Sequence, residues 1–391
     1  MTKSASPGLR FGVCGGPGAK RCRVKFAFVI HPTSLEDVAR YEPGAAGKGR
    51  PLIEKIMEWM PAYAVAHVTG ILTPDGRTTE GWFVAANFMP EQMLSLPRER
   101  VFGKIVDAVE IGAQLGAEVA GLGAFTGVVG DAGITVAQRS RIPVTTGNSL
   151  TIAAGVRSFF RGALEMEIDV ARATAVVVGA TGSIGSACVR LIGPHVANLV
   201  LVARNETRLR RLAETLAAEL TCGISISTDV RSAVGRGQLV LTATTSTQEL
   251  IEPADLCGGS VVCELSLPHD VGRRVAAERP DVLVTEGGNM NVPGHVRFER
   301  IREPGTDFDF GLPPGTALAC MSETMVLALE ERRESFTLGR GIELEKVREM
   351  DELAARAGFT LAGMRAFDRA IAPAQIEAIR AAARGRALAT G

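Results

Sequence analysis

The 391-residue sequence is poor in aromatic residues, 5% of the total, and has no net charge, with 43 basic residues against 43 acidic ones. An even balance provides no global field to draw the chain onto nucleic acid, so an anionic partner has to be met locally. Apolar runs such as 173–180 and 199–203 fall far short of the roughly 20 residues of a membrane-spanning helix, which argues against an integral membrane segment. The seven cysteines, Cys14, Cys22, Cys188, Cys222, Cys257, Cys263 and Cys320, form no C-x-x-C pair and lack the density of a disulfide framework. They predict a reducing, cytoplasmic setting. Residues 1–24 scatter Lys3, Arg10, Lys20, Arg21 and Arg23 among glycines without the apolar stretch of a secretory signal, and read as a flexible extension.

With 46% hydrophobic and 22% charged residues the chain has a globular composition, and its length predicts two or three domains. Short apolar runs at Phe26–Ile30, 64–68 and 82–86 mix with a helical pattern over 100–115, which predicts an α/β domain over 25–168. A second unit, 169–300, opens at Ala173 and repeats apolar runs near 199, 238, 260 and 282 at the spacing of strand–helix–strand units. After a Pro- and Gly-rich loop, helical periodicity over 316–333 and 343–357 predicts a helical region, 301–391, that carries Cys320.

The sharpest signal is Gly179-Ala-Thr181-Gly182-Ser183-Ile184-Gly185, which follows the apolar strand 174–178 and opens an amphipathic helix. In that context the first glycine permits a tight turn, the second lets backbone approach a pyrophosphate, and the third allows close helix–strand packing. The phosphates then face a helix N-terminus. The expectation is a Rossmann-type unit. Its next strand, 199–203, ends in Arg204-Asn205, with Arg208 one turn on, and not in the acidic residue that would hold a ribose 2′-hydroxyl. That favours NADPH over NADH. Thr242 and Thr244 follow a later strand of the unit, where they read equally well as a nicotinamide contact or as an ordinary polar loop.

Such a unit only says that a hydride moves; the substrate must come from other residues. A Tyr-x-x-x-Lys pair after the glycine turn is excluded, because Tyr41 and Tyr63 are the sole tyrosines. A catalytic lysine of the shikimate-dehydrogenase kind is disfavoured, since 106–168 contain none. The remaining option is a thiol that takes an acyl group from a thioester. Cys320 is the best-placed thiol, near the start of a predicted helix, where the dipole depresses a thiol pKa. By residue type alone it reads more readily as a small buried hydrophobe. Glu323, three residues on, could orient a neighbour or move a proton, although its charge opposes thiolate formation.

Several motifs together carry a family resemblance. These are Phe28-Val-Ile-His31-Pro-Thr-Ser-Leu-Glu36, Leu122-Gly-Ala-Phe125-Thr126, Thr145-Thr-Gly-Asn-Ser149-Leu-Thr151, the glycine turn with Ala203-Arg204-Asn205, and Ala319-Cys320-Met-Ser-Glu323-Thr-Met325. Over roughly 26–361 the chain resembles the long-chain acyl-[acyl-carrier-protein] reductases of the cyanobacterial type, which form fatty aldehydes. The resemblance implies NADPH as cofactor, an acyl-carrier protein or acyl-CoA as the substrate's carrier, and Cys320 as the acyl-accepting nucleophile. His31, or the hydroxyls of Ser149 and Thr151, would then donate toward the thioester oxygen. The sequence departs from the family at 263–269, at 302–315 and beyond Phe367, which leaves acyl length and carrier open. Arg332, Arg333 and Arg340 read either as a dock for an acidic carrier or as a solvated helix face. A homo-oligomer is compatible with the sequence. The rival readings are a non-covalent dehydrogenase of shikimate or amino-acid type and a redox-sensing module that binds NADP without turnover.

Overall fold

The computed structural model describes residues 20–21, 24–367 and 369–390. Most of the N-terminal extension, with Cys14 and Cys22, lies outside the described residues. Where it is described it is ordered: Lys20–Arg21 pair in parallel with Arg77 and Thr78, and Val24 is fully buried.

The first sheet contains β1 (Phe26–Ile30), β2 (Tyr63–Leu72), β3 (Arg77–Ala85), β4 (Val119–Leu122) and β5 (Val144–Thr145). Between them run α1 (Leu35–Tyr41), α2 (Arg50–Trp59), α3 (Pro90–Ser95) and α4 (Arg98–Gln114). The helix α5 (Asn148–Glu165) then leads into a six-stranded sheet. That sheet is built from β6 (Thr174–Val178), β7 (Asn198–Val202), β8 (Gly223–Ser227), β9 (Leu239–Thr242), β10 (Val261–Glu264) and β11 (Leu283–Glu286). Its spatial order is β11-β10-β9-β6-β7-β8 with every pairing parallel. This is the doubly wound order of dinucleotide-binding units, whose crevice opens at the carboxyl ends of the two central strands. The protein is thus an α/β protein whose parallel six-stranded sheet resembles NAD(P)-binding dehydrogenase folds. Apart from the edge strand β8, the strands are buried on both faces and accordingly read as near-continuous Val/Leu runs.

The chain does not stay in this second unit up to residue 300. After β12 (Asn289–Asn291) it crosses back, and β13 (Gly294–Arg300) pairs antiparallel with β2 at the edge of the first sheet. A mostly exposed antiparallel edge strand has no sequence signature that distinguishes which sheet it joins. Nor is 316–333 one helix: β14 (Thr316–Leu318) pairs with β12, and α8 spans Ala319–Leu329. Every residue of α8 except Cys320 is buried. Helices that are apolar all round belong in cores, and α8 packs against β1, β3 and β4 of the first sheet and against α5. It is thus a central helix packed on the first sheet. The helix α9 (Leu344–Arg356) covers α5 from the other side. Among the described residues no helix is long and apolar enough to cross a membrane.

Candidate functional site

The helix α5 joins the two sheets and organises the site. Its middle packs on the second sheet, where Gly155 abuts Leu265 just past β10 and Gly162 abuts Val261. Its N-terminus, capped by Gly147 at φ +72°, lies on Cys320: a Cβ added to Gly147 would fall 2.4 Å from both Cα and Cβ of that cysteine. Eight residues of helix separate Gly147 from Gly155, about 12 Å along the axis. From the other direction, the Gly288 carbonyl just after β11 accepts the Ala319 N–H at 2.7 Å. Cys320 therefore sits on the carboxyl-end side of the six-stranded sheet, the side on which such folds bind their ligands.

Glu323 holds this junction. It is fully buried, one α-helical turn from Cys320, and its carboxylate accepts from Thr145 Oγ1 at 2.5 Å, Thr337 Oγ1 at 3.0 Å and the Leu150 N–H at 2.9 Å. The Ser149 N–H adds to the set. A carboxylate from α8 thus caps the first turn of α5, where buried amides have no partner within their own helix. Burial pushes its carboxyl above the usual range, and these hydrogen bonds oppose that shift. Thr145 Oγ1 accepts the N–H groups of Thr337 and Gly147, so its own proton points to Glu323. These bonds make Glu323 an anchor between α8 and the first turn of α5.

The three donors expected beside the thioester are committed elsewhere. His31 Nε2 accepts the Phe125 N–H at 3.0 Å, which makes Nδ1 the protonated nitrogen, donating to Pro32 O at 3.0 Å. Burial lowers its pKa to about 4, so the ring is neutral and both nitrogens are occupied by backbone. Ser149 Oγ lies 2.7 Å from Thr337 Oγ1, and because Thr337 donates to Glu323, Ser149 donates to Thr337. Thr151 Oγ1 donates to Gly147 O at 2.8 Å, back-bonding into its own helix. Each is hydrogen-bonded within the protein near the cysteine.

Cys320 itself is half-buried on the first turn of α8. Burial pushes its thiol up to about 12. The Met321, Cys320 and Ala124 N–H groups pull the other way, while the Glu323 charge adds to the rise. The expected depression by the helix N-terminus is therefore outweighed by desolvation. Sequence reading missed Ala124, whose φ of +44° turns a non-glycine backbone into the left-handed region next to the thiol. It also missed Gly147 and Thr337. Gly147 stood within a visible motif; Thr337 carried no signal at all.

In the second unit, Gly179 at φ +85° packs on Ala243 O, and a Cβ on Gly185 would fall 2.3 Å from Gly179 O. Gly182 is exposed and caps α6 (Ser183–Ile192), with Thr181, Ser183 and Ile184 part-exposed around it. A tight turn, an open helix N-terminus and a close helix–strand contact are what a pyrophosphate requires. Arg204 and Arg208 are exposed past the end of β7, at the start of α7 (Glu206–Glu219). Asn205 is exposed too, but its Oδ1 accepts the Arg208 N–H and caps α7, so its carboxamide oxygen serves the helix. Thr242 is wholly buried in β9. Thr244 donates its N–H to Ser266 Oγ and its hydroxyl to Asp270 at 2.6 Å. Asp270, also bonded by Ser266 Oγ, is raised by burial to about 6.

No protein-family profile matches the chain. It is 31% identical to the aminotransferase PigE of a Serratia species over 348 residues, covering 86% of this chain and 39% of that protein. It is 27% identical to the long-chain acyl-[acyl-carrier-protein] reductase of Synechococcus elongatus over 347 residues, 85% of this chain and 98% of that one. The chain thus spans about two fifths of the first and nearly all of the second, and is distantly similar to both. Among solved structures, L-tryptophan dehydrogenase from Nostoc punctiforme aligns with a TM-score of 0.33 at 11% identity, over 94% of this chain and 88% of that one. A shikimate 5-dehydrogenase from Mycobacterium fortuitum aligns at 0.27 and 11%, over 84% and 97%.

Replacing Glu323 with Ala leaves two hydroxyls and two helix amides buried without this acceptor. Denaturant unfolding should lose roughly 3 kcal/mol or more, with Glu323→Gln losing less; a wild-type midpoint would show that the cap carries no weight. Because the raised pKa keeps the Cys320 thiol protonated at neutrality, its alkylation by iodoacetamide should climb about tenfold per pH unit between pH 7 and 9. A plateau below pH 8 would contradict burial as the dominant influence.

Proposed function

We propose that the chain is an NAD(P)-dependent oxidoreductase, and more narrowly one that uses NADPH to reduce an acyl thioester, carried by an acyl-carrier protein or coenzyme A, to the aldehyde through an acyl group on Cys320. The observation that carries this reading is the seat of Cys320. It is a part-exposed thiol held by the N-terminus of α5 on the carboxyl-end side of a dinucleotide-type sheet. Distant similarity to an acyl-[acyl-carrier-protein] reductase over nearly its full length supports it.

The cofactor's pyrophosphate would rest on Gly179, Gly182 and the first turn of α6, and a 2′-phosphate would meet Arg204 and Arg208. Bound there, NADPH supplies the hydride that reduces the acyl carbon. The Cys320 sulfur forms a bond to the thioester carbonyl carbon as the carrier's sulfur leaves, and the cysteine proton goes to that leaving thiol. When the acyl carbon has gained its hydride, the carbon–sulfur bond breaks, aldehyde departs and Cys320 regains a proton from solvent. The backbone N–H groups of Met321 and Ala124, beside the sulfur, are the donors available to the carbonyl oxygen as charge develops. His31 serves by holding the Phe125 amide and with it the turn at Ala124. A thiol raised by burial reacts slowly with solvent oxidants and small electrophiles, and acquires nucleophilicity only next to donors of this kind.

One observation favours a second reading. Asp270, with Thr244 and Ser266, lies by the carboxyl ends of β9 and β10 with its pKa near 6, which suits acid–base work on a small polar ketone or imine without a covalent step. That reading expects indifference to thiol reagents.

Intact-mass analysis after incubation with a long-chain acyl thioester should find one acyl adduct, absent in Cys320→Ser, that NADPH discharges as aldehyde. No adduct, with NADPH still bound, would transfer the assignment to the non-covalent dehydrogenase. Arg204→Glu with Arg208→Glu should weaken NADPH at least roughly tenfold, the loss of one or two charge-assisted bonds, while NADH binding changes little. Equal losses for both cofactors would remove the 2′-phosphate from the reading.

A further inference from the structure

The helix α2 buries Ile53 and Met57 in a small cluster with Val38 and Met89. It also presents a second apolar stripe outward. Leu52, Ile56 and Trp59 are 53%, 43% and 72% exposed, and their spacing confines them to about 60° of the helix circumference. The helix α3, tied to α2 by the Arg50–Glu91 ion pair and by Gln92 Nε2 donating to Glu54 O, adds Leu94 at 59% exposure. These four are more than half of the large hydrophobic side chains exposed among the described residues. A soluble surface has no reason to concentrate them on one short helix and its neighbour.

The charges around the stripe are not balanced. The acids Glu54, Glu91 and Glu58 are paired with arginines, the first two with Arg50 and the third with Arg100. Lys48, Lys55 and Arg98 are exposed and form no ion pair among the described residues. The Lys55 ammonium lies 5.9 Å from the centroid of the Trp59 ring and the Arg100 guanidinium 5.7 Å from it. Aliphatic side chains, an outward tryptophan and unpaired cations beside them match the interface of an anionic bilayer, where indole sits at headgroup depth and lysines meet the lipid phosphates. Lys104 fixes the end of α2 by donating to the Met57 and Glu58 carbonyls at 2.8 and 3.0 Å, so the face is presented on a formed helix.

We infer that the outer face of α2, with Leu94 of α3, is a docking surface for an anionic lipid bilayer. Its place in the fold gives it a consequence. The strand β1 ends at Ile30, and the next residue is His31, whose ring holds the Phe125 amide beside Ala124; α1 and α2 follow in the chain. The docked face therefore belongs to the segment that follows the end of β1 beside Ala124. The surface itself stands whatever chemistry Cys320 performs.

The chain holds two tryptophans, and Trp82 is buried against the His67 ring, so Trp59 is the solvent-exposed emitter. The full-length protein is titrated with vesicles of phosphatidylcholine alone and of phosphatidylcholine mixed with phosphatidylglycerol. Tryptophan emission and co-sedimentation are read together. Emission should shift to the blue and protein should sediment with the phosphatidylglycerol vesicles only, less so as salt rises. Leu52→Ser with Ile56→Ser should weaken binding roughly tenfold or more at an unchanged melting temperature, and Lys48→Glu with Lys55→Glu should abolish the preference for anionic lipid. Absence of both signals, or undiminished binding by the double serine variant, would overturn the assignment. So would a blue shift without vesicles that grows with protein concentration as the mass doubles, which would make the face a contact between copies. A shift induced by an acidic carrier protein but not by vesicles would make it a protein dock instead.

Discussion

The carboxylate of Glu323 ties the central helix of the first sheet to the helix that runs on to the second. It sits on α8, the buried helix of the first sheet, and caps α5, the helix that runs on to the dinucleotide-type sheet. Capping across tertiary structure is demanding, because a fully buried charge is tolerable only if its lone pairs are filled. Here two threonine hydroxyls and two helix amides fill them. One consequence is that Gly147 is pressed onto Cys320 so closely that no side chain fits between them. Another is that the surrounding hydroxyls of Thr145, Thr337 and Ser149 form one hydrogen-bonded chain ending on the carboxylate.

The thiol's environment shows which of two opposed effects wins. A helix N-terminus stabilises an anion by about 0.3–1 kcal/mol, less than one pKa unit. Burial moves Cys320 up to about 12 from 9.0, a larger change in the other direction. The resting cysteine is consequently a protonated thiol. Its reactivity has to be raised by the ligand that fills the site, which excludes solvent further and brings a carbonyl oxygen against the backbone amides of Met321 and Ala124. The strained backbone of Ala124 is consistent with such a role, since strain is stored where geometry matters more than stability.

The dinucleotide unit was largely legible from local pattern. Gly179 at positive φ and Gly185, whose Cβ would meet Gly179 O, are set by the turn itself, while the contact of Gly179 with Ala243 O comes from a distant strand. The exposed Arg204 and Arg208 follow from the same strand register. The bond from Thr244 to Asp270 was not legible, because its partner lies more than twenty residues away. The cap that Asn205 provides was not distinguishable in sequence from a ligand contact, because both use the same residue type.

What the sequence by itself determined is the set of short-range facts: a buried parallel strand, a glycine turn, an amphipathic helix, and a cysteine at the start of an apolar helix. Each rests on periodicity or on a residue's own backbone preferences. What only tertiary structure decided is the meaning of the polar residues around Cys320. His31, Ser149, Thr151 and Glu323 were all visible as chemistry-bearing side chains, yet each is bound to a partner supplied by a different segment or by nearby backbone. The return of β13 to the first sheet and the outward face of α2 were likewise beyond local reading. A hydrogen-bond donor or an apolar stripe has the same sequence signature whether its partner is the protein's own chain or something outside it, and only the packed fold says which.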